Sequence, residues 1–250
     1  TGPKQLLPIA NKPMSQYCVE SLKDAGITEI AIIIGGIGSD KVKEFYGDGS
    51  NFGVSFTYFQ QEFPKGISHA VNLCKEFVGN EKFVVFLGDN IIQKSIREYV
   101  NEFASSDVAA SLLLCKVPNP SSFGIAELEN EKIIKIVEKP KESKSNLAVT
   151  GIYFLTPLIF EIIANLKPSW RNELEITDAL HQMLEKNKKI TYHMITDYWK
   201  DTGTPEDVLH ANKEILEKII GISEGKKEEK SIISSNSIIG KGSSIKGNSV

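Results

Sequence analysis

Asp89 closes the stretch FVVFLGDN (83–90), where an apolar run from Phe83 to Leu87 stops abruptly at Gly88-Asp89-Asn90. The run reads as a strand buried on both faces. Ligands of open α/β sheets bind in the crevice beyond the carboxyl ends of the parallel strands. A carboxylate there suits Mg²⁺, a hard cation held by one or two carboxylates together with substrate phosphate oxygens. A turn or helix-cap role is the alternative for the same residue. Asp201 brings a second carboxylate in YWKDTGT (198–204), after an aromatic edge and before a Thr-Gly-Thr turn. Its alternative is an Asx-turn. Together the two could hold one Mg²⁺.

Cations and amides supply the rest. Lys4 and Lys12 each neighbour a proline in the opening TGPKQLLPIANKP. Lys4 lies on a stiff backbone between Pro3 and Leu6-Leu7, which makes it a point charge for a phosphate or simply a solvated lysine. In QEFPKGISHA (61–70), Gln61 offers donor and acceptor together, matching a pyrimidine edge. Gly66 lets backbone approach a planar ring, and an ordinary glycine turn has the same signature. His69 reads as helix N-terminal surface. VEKP (137–140) puts Glu138 and Lys139 at a strand end, held by Pro140. Adjacent strand residues face opposite sides, so no ion pair is expected between them. Glu138 could take hydroxyls and Lys139 a phosphate, or both could be plain hairpin charges. The absence of H-E-x-x-H and of zinc-ligand spacing removes support for zinc chemistry.

The elements that must position these residues follow from periodicity. Pro13 opens a helix with Met14, Cys18, Leu22 and Ala25 on one face, closed by Gly26. Strand patterns (29–34, 54–59, 83–87, 108–117) alternate with helix patterns, among them 69–77 and 95–103. This is the mark of βαβ units with helices on both faces of a mostly parallel sheet. Such a series should open with a strand, which places the first strand ahead of Thr1. Beyond Pro120 the pattern becomes α+β. GIAELE (124–129) and KIIKIVEK (132–139) form a hairpin around Asn130-Glu131, followed by a strand (146–155), helices (157–166, 175–187) and a strand (190–195). Thr204 as N-cap and Pro205 in the first turn open a last helix.

The tail differs. Residues 222–230 are charged and read as a linker. From residue 231, Ile233, Ile239 and Ile245 recur every six residues, the period of a parallel β-helix, for which a flexible Ser/Gly tail is the alternative. Such a helix is expected to continue past Val250. It also implies a homo-oligomer, a trimer if the helix is complete.

With 250 residues, 41% of them hydrophobic and 24% charged, the chain has the composition of an ordinary soluble domain. A net charge of −3 does not suggest nucleic-acid binding. The distant Cys18, Cys74 and Cys115 read as buried free thiols in a reducing compartment. With no signal peptide and no apolar run long enough to span a bilayer, a cytoplasmic protein is expected.

The motifs PKQLLPIANKPM, FLGDN, FGIAELE, EKPKESKSNLAVTGIYF, ELEITDAL and DTGT, in this order, resemble the sugar-1-phosphate nucleotidyltransferases. Within them the chain is most similar to the glucose-1-phosphate thymidylyltransferases. The tail is similar to that of members carrying a left-handed β-helix. The resemblance implies a Rossmann-like nucleotidyltransferase domain over 1–221. It also implies Mg²⁺-dependent transfer from dTTP or UTP to glucose 1-phosphate. By the same resemblance Lys4 contacts nucleotide phosphates, Lys139 the sugar phosphate, and Asp89 and Asp201 the metal. Gln61 and Gly66 read the pyrimidine, while Gly124, Glu138 and the backbone near Val149 hold the sugar. The family's G-x-G-T-R-x-x-P-x-T loop does not occur within residues 1–250 and is expected just ahead of Thr1. A chain starting at Thr1 is expected to turn over little. Two other readings are a uridylyltransferase for another hexose or N-acetylhexosamine 1-phosphate, and a non-catalytic regulatory subunit of the same fold.

Overall fold

The computed structural model describes residues 2–218, 222–229, 231–233 and 237–247. The chain divides into two compact units, Thr1–Leu7 with Pro13–Asp201, and Pro8–Lys12 with Thr202–Val250. The elements begin with β1 (Pro8–Ile9), β2 (Lys12–Pro13), α1 (Met14–Asp24), β3 (Glu29–Ile34), α2 (Ser39–Tyr46) and β4 (Ser55–Gln60). There follow α3 (Ile67–Leu73), α4 (Lys75–Val78), β5 (Phe83–Phe86), β6 (Asn90–Ile92), α5 (Arg97–Ser105) and β7 (Ala110–Lys116). Next come β8 (Gly124–Glu129), β9 (Lys132–Glu138), β10 (Leu147–Leu155), α6 (Leu158–Ile163), α7 (Ile176–Glu185), β11 (Ile190–Met194) and β12 (Trp199–Asp201). The chain ends with α8 (Pro205–Glu217), β13 (Ile222–Ser223), β14 (Lys226–Lys227), β15 (Ile238–Ile239) and β16 (Ser244–Ile245).

In the first unit, α1 buries the expected face of Met14, Cys18 and Leu22. The β8–β9 hairpin turns at Asn130 (φ 49°) and Glu131 (φ 59°), the pair of positive φ values that a type I′ turn requires. The main sheet runs β11-β7-β10-β8-β9, with β5 also on β10. It is mixed. Parallel pairing holds for β3 with β4 and β7 with β11, whereas β10 is antiparallel to β5, β7 and β8. Side-chain alternation along β10 feeds two cores. Ile152 and Phe154 join the cluster of Val19, Leu22, Tyr46 and Phe103. Tyr153 and Leu155 join Ile159, Leu180 and Met183 under α6 and α7.

The middle of β10 is where the site opens. On one edge, Leu147 and Ala148 pair with β8, and Ile152 to Leu155 pair with β5. Gly151 sits at the changeover, accepting from Leu87 N at 2.8 Å and donating to Asn90 Oδ1 at 3.1 Å. A Cβ on Gly151 would stand 2.6–2.8 Å from three atoms of that amide.

Phe83–Phe86 is half-buried, where burial on both faces was expected. Among the described residues β3 pairs only with β4, and β5 only with β10. Between them lies a cavity of about 600 Å³, walled by the full length of β3 and by Phe83 to Gly88.

In the second unit, Thr204 and Asp207 form a capping box on α8, with Pro205 in its first turn. Helix α8, within the span 1–221 expected for the nucleotidyltransferase domain, groups with Pro8–Lys12. Asn212 Oδ1 accepts from Ala10 N at 2.8 Å, and Ile9 and Ala211 are fully buried. The segment 222–230, expected as a linker, contains β13 and β14, which pair in parallel with β15 and β16. Strands of two residues have too little length to display an apolar alternation. Residues 219–221, 234–236 and 248–250, which belong to the expected last helix and repeat, lie outside the described residues.

Gly151→Ala should lower unfolding stability by about 2–4 kcal/mol in urea titrations, because the added methyl meets a buried hydrogen-bonded amide. A loss below about 0.5 kcal/mol would show that the changeover tolerates a side chain.

Candidate active site

Asp89 follows β5 and Asp201 ends β12. The β6–β12 register places Asp201 opposite Asn90, so the two carboxylates come from neighbouring chain positions. Lys4 Nζ lies 2.9 Å from Asp89 Oδ2, in a pair that is about one-third exposed. Asn90, 1% exposed, donates from Nδ2 to Asp89 Oδ1 at 3.1 Å. Its Oδ1 accepts from Trp199 Nε1 at 2.8 Å and from Gly151 N. One amide therefore connects the carboxylate of β5 to the strands carrying Gly151 and Asp201. Burial pushes the Tyr153 phenol well up, and the charges of Glu138, Asp201 and Asp89 add to the shift.

The described residues hold no group of three or more His, Cys, Asp and Glu suited to caging a metal. Two carboxylates fit the other habit, a hard cation whose remaining ligands are water and phosphate oxygens. Asp89 and Asp201 have the chemistry for Mg²⁺ in that mode.

A second cluster surrounds Glu138. Thr177 Oγ1 donates to its Oε2 at 2.9 Å, Arg171 Nη1 stands 3.4 Å from Oε1, and Lys139 Nζ stands 3.9 Å from Oε1. The last contact corrects the expectation of no Glu138–Lys139 pair. Strand geometry ends at Glu138, and Lys139 takes a left-handed φ of 42°, which removes the strict alternation. Arg171 also reaches Glu173 at 3.0 Å and Glu175 at 3.4 Å. It went unnoticed in the sequence because it sits in an aperiodic loop, although the adjoining ELEITD motif pointed to this region. Gly124 is paired with Glu138, and a Cβ there would run into Thr177 Cγ2 and stand 3.2 Å from Glu138 Oε2. Val149 has its side chain in the core, so its backbone is what remains available to a ligand.

Gln61 follows β4 and donates from Nε2 to Gly66 O at 3.3 Å, with His69 Nδ1 2.9 Å from the same nitrogen. His69, expected as surface, is half-buried against this amide. Gly66 has φ +95°, and the place of its missing Cβ is filled by Leu174 backbone at 2.5–3.0 Å. Its requirement for glycine is therefore met within the protein. Lys12 belongs to the second unit.

An α/β fold with carboxylates at two strand ends, a lysine beside one of them and a separate Arg–Lys cluster suits a nucleotidyltransferase. Family comparison agrees: the nucleotidyl transferase model matches residues 1–218, and the chain belongs to that family. Agl11 of Haloferax volcanii, a low-salt glycan biosynthesis nucleotidyltransferase, is 47% identical over 218 residues, covering 87% of this chain and 61% of its own length. Glucose-1-phosphate thymidylyltransferase of Streptomyces griseus is 37% identical over 251 residues, all of this chain and 70% of that protein. Among solved structures, a Bacillus anthracis protein assigned as a glucose-1-phosphate thymidylyltransferase, in complex with a sucrose, has TM-score 0.81 and 46% identity. The match covers 85% of this chain and 86% of that one. A UDP-glucose pyrophosphorylase complexed with UDP-glucose has TM-score 0.76 and 30% identity, over 86% and 91% of the two chains.

Burial raises the Glu138 carboxyl above its ordinary value. The Thr177 hydrogen bond opposes that shift, Glu175 adds to it, and Lys139 and Arg171 oppose it. A folded value above the unfolded one means that ionised Glu138 opposes folding at neutral pH, and that this cost disappears below the unfolded value. Glu138→Gln should therefore melt higher than the parent at pH 7.5, with the gap closing at pH 4. A lower melting temperature for the variant at pH 7.5 would show that its cationic partners outweigh burial.

Proposed function

We propose that this chain catalyses nucleotidyl transfer from dTTP or UTP to glucose 1-phosphate. The observation that carries the reading is the presence of two cationic sites, Lys4 beside Asp89 and Lys139 with Arg171 around Glu138. Such a layout suits two phosphorylated substrates held apart and brought to one reacting centre. The names of the relatives, thymidylyltransferase and UDP-glucose pyrophosphorylase, support the substrate class.

In this reading an oxygen of the sugar 1-phosphate attacks the nucleotide α-phosphorus. The bond from that phosphorus to the oxygen bridging the β-phosphate breaks, and its electron pair leaves with pyrophosphate. The nucleophile is already anionic at neutral pH, so no general base is needed. Catalysis then rests on positioning and on stabilising charge at the phosphoryl oxygens. Lys4 takes nucleotide phosphate, Gln61 and the Gly66 backbone meet the pyrimidine, and Lys139 with Arg171 takes the sugar phosphate. Glu138, the Gly124 backbone and the backbone near Val149 hold sugar hydroxyls. Asp89 and Asp201 would hold Mg²⁺, which when bound neutralises charge on the phosphates.

We also read the tail as the start of a parallel β-helix. The pairings of Ile222 with Ile238 and Lys226 with Ser244 join positions sixteen and eighteen residues apart, close to three hexapeptides per coil. The edges of such coils favour contacts between copies, and hence a homo-oligomer. No helix among the described residues is long and apolar enough to cross a membrane.

Pyrophosphate release from the full-length protein, with Mg²⁺, glucose 1-phosphate and each of dTTP, UTP, GTP, CTP and ATP, tests the activity. Release with dTTP or UTP, reduced about a hundredfold or more in Asp89→Asn and in Asp201→Asn, is the expected result. No release with any triphosphate from folded protein would favour the non-catalytic reading. Arg171→Ala should raise KM for the sugar phosphate about tenfold, consistent with loss of a charge-assisted contact of roughly 1.5 kcal/mol, with KM for the nucleotide little changed.

A further inference from the structure

We infer that His69 is a positioning residue that sets nucleobase preference by locking Gln61 into the role of a hydrogen-bond acceptor. The inference rests on the reading of Gln61 as the base contact.

A glutamine amide has two N–H donors and one carbonyl oxygen. Gly66 O can only accept, so the part of the Gln61 amide facing it at 3.3 Å must be the NH₂ group. The same nitrogen lies 2.9 Å from His69 Nδ1, and its second hydrogen is directed there. His69 then accepts at Nδ1 and carries its own proton on Nε2. With both donors engaged inside the protein, Gln61 has only Oε1 to offer a ligand. The anchors are firm. Gly66 O also accepts from Ala70 N at 3.2 Å, which ties it to α3, the helix bearing His69. Gln61 N donates to Ile34 O at 2.8 Å, tying the other end to β3.

A lone acceptor discriminates among bases by their edges. Thymine and uracil present an imide N3–H, which donates to Oε1. Neutral cytosine presents an unprotonated N3, which in the same pose places two acceptors face to face, and its N4–H₂ donor reaches Oε1 only if the base shifts along its edge. The pocket therefore favours dTDP and UDP over CDP. A freely rotating Gln61 would satisfy either pyrimidine by turning over. The discrimination belongs to the pair that prevents this rotation.

Binding of dTDP, UDP and CDP, measured by calorimetry without added metal, tests the inference independently of the carboxylate pair. The full-length protein should prefer dTDP and UDP over CDP. His69→Ala and His69→Leu should each reduce the CDP-to-dTDP ratio of Kd values about two- to tenfold, the worth of one neutral hydrogen bond. His69→Gln, whose carbonyl can accept the same N–H, should restore the ratio. Two folded variants with an unchanged ratio, or a parent that binds CDP as tightly as dTDP, would overturn the inference. Unchanged dTDP affinity in Gln61→Ala would instead remove Gln61 from the base contact, and the inference with it.

Discussion

The side chain of Asn90 is the knot on which the first unit depends. It is almost fully buried, and three hydrogen bonds meet on it, from Gly151 N, from Trp199 Nε1 and to Asp89 Oδ1. Its backbone is held as well, with Asn90 N donating to Leu87 O at 3.0 Å and Cys18 Sγ donating to Asn90 O at 3.3 Å. A buried amide with its partners in place is worth little net. With partners removed, it costs the full desolvation of the groups left behind. That asymmetry explains why a polar residue occupies the place where β10 leaves β8 and joins β5. An apolar side chain could fill the volume, but it would leave Gly151 N and the indole N–H without this acceptor and remove one of the donors to Asp89.

A different balance governs Glu138. Its surroundings combine burial, which disfavours the carboxylate, with Thr177, Lys139 and Arg171, which favour it. Burial outweighs the cations. A fold shaped by stability alone would place a neutral group there, and a charge retained against that gradient is a common sign of a working site.

Much of this was legible in the residues. The apolar run before Gly88-Asp89 and the Thr-Gly-Thr turn after Asp201 located both carboxylates, because strand ends and helix caps have strong local signatures. The hairpin turning at Asn130-Glu131 was equally plain. Other features depended on tertiary placement. Arg171 sits in a loop without period, and only the fold shows that it reaches Glu138. Lys139 escaped strand alternation because of a single left-handed backbone angle. Asn90 drew no role from the sequence, since nothing local reveals that Trp199 donates to it from 109 positions away. The mixed character of the sheet was equally hidden, because periodicity reports that a strand is buried and not which way its neighbours run.

The contact between Lys4 and Asp89 has a consequence for the order in which charges arrive. While the two are paired at 2.9 Å, each neutralises the other in a half-covered crevice. In the proposed reaction, a triphosphate that draws Lys4 away strips Asp89 of its counter-charge, and the exposed carboxylate then calls for a cation. A lone cation competes with a lysine already in place, and a lone anion must separate an existing pair. A complex of nucleotide and divalent ion does neither, since its phosphates would meet Lys4 as its cation meets Asp89. In the proposed reaction the crevice would thus take up its two charges together.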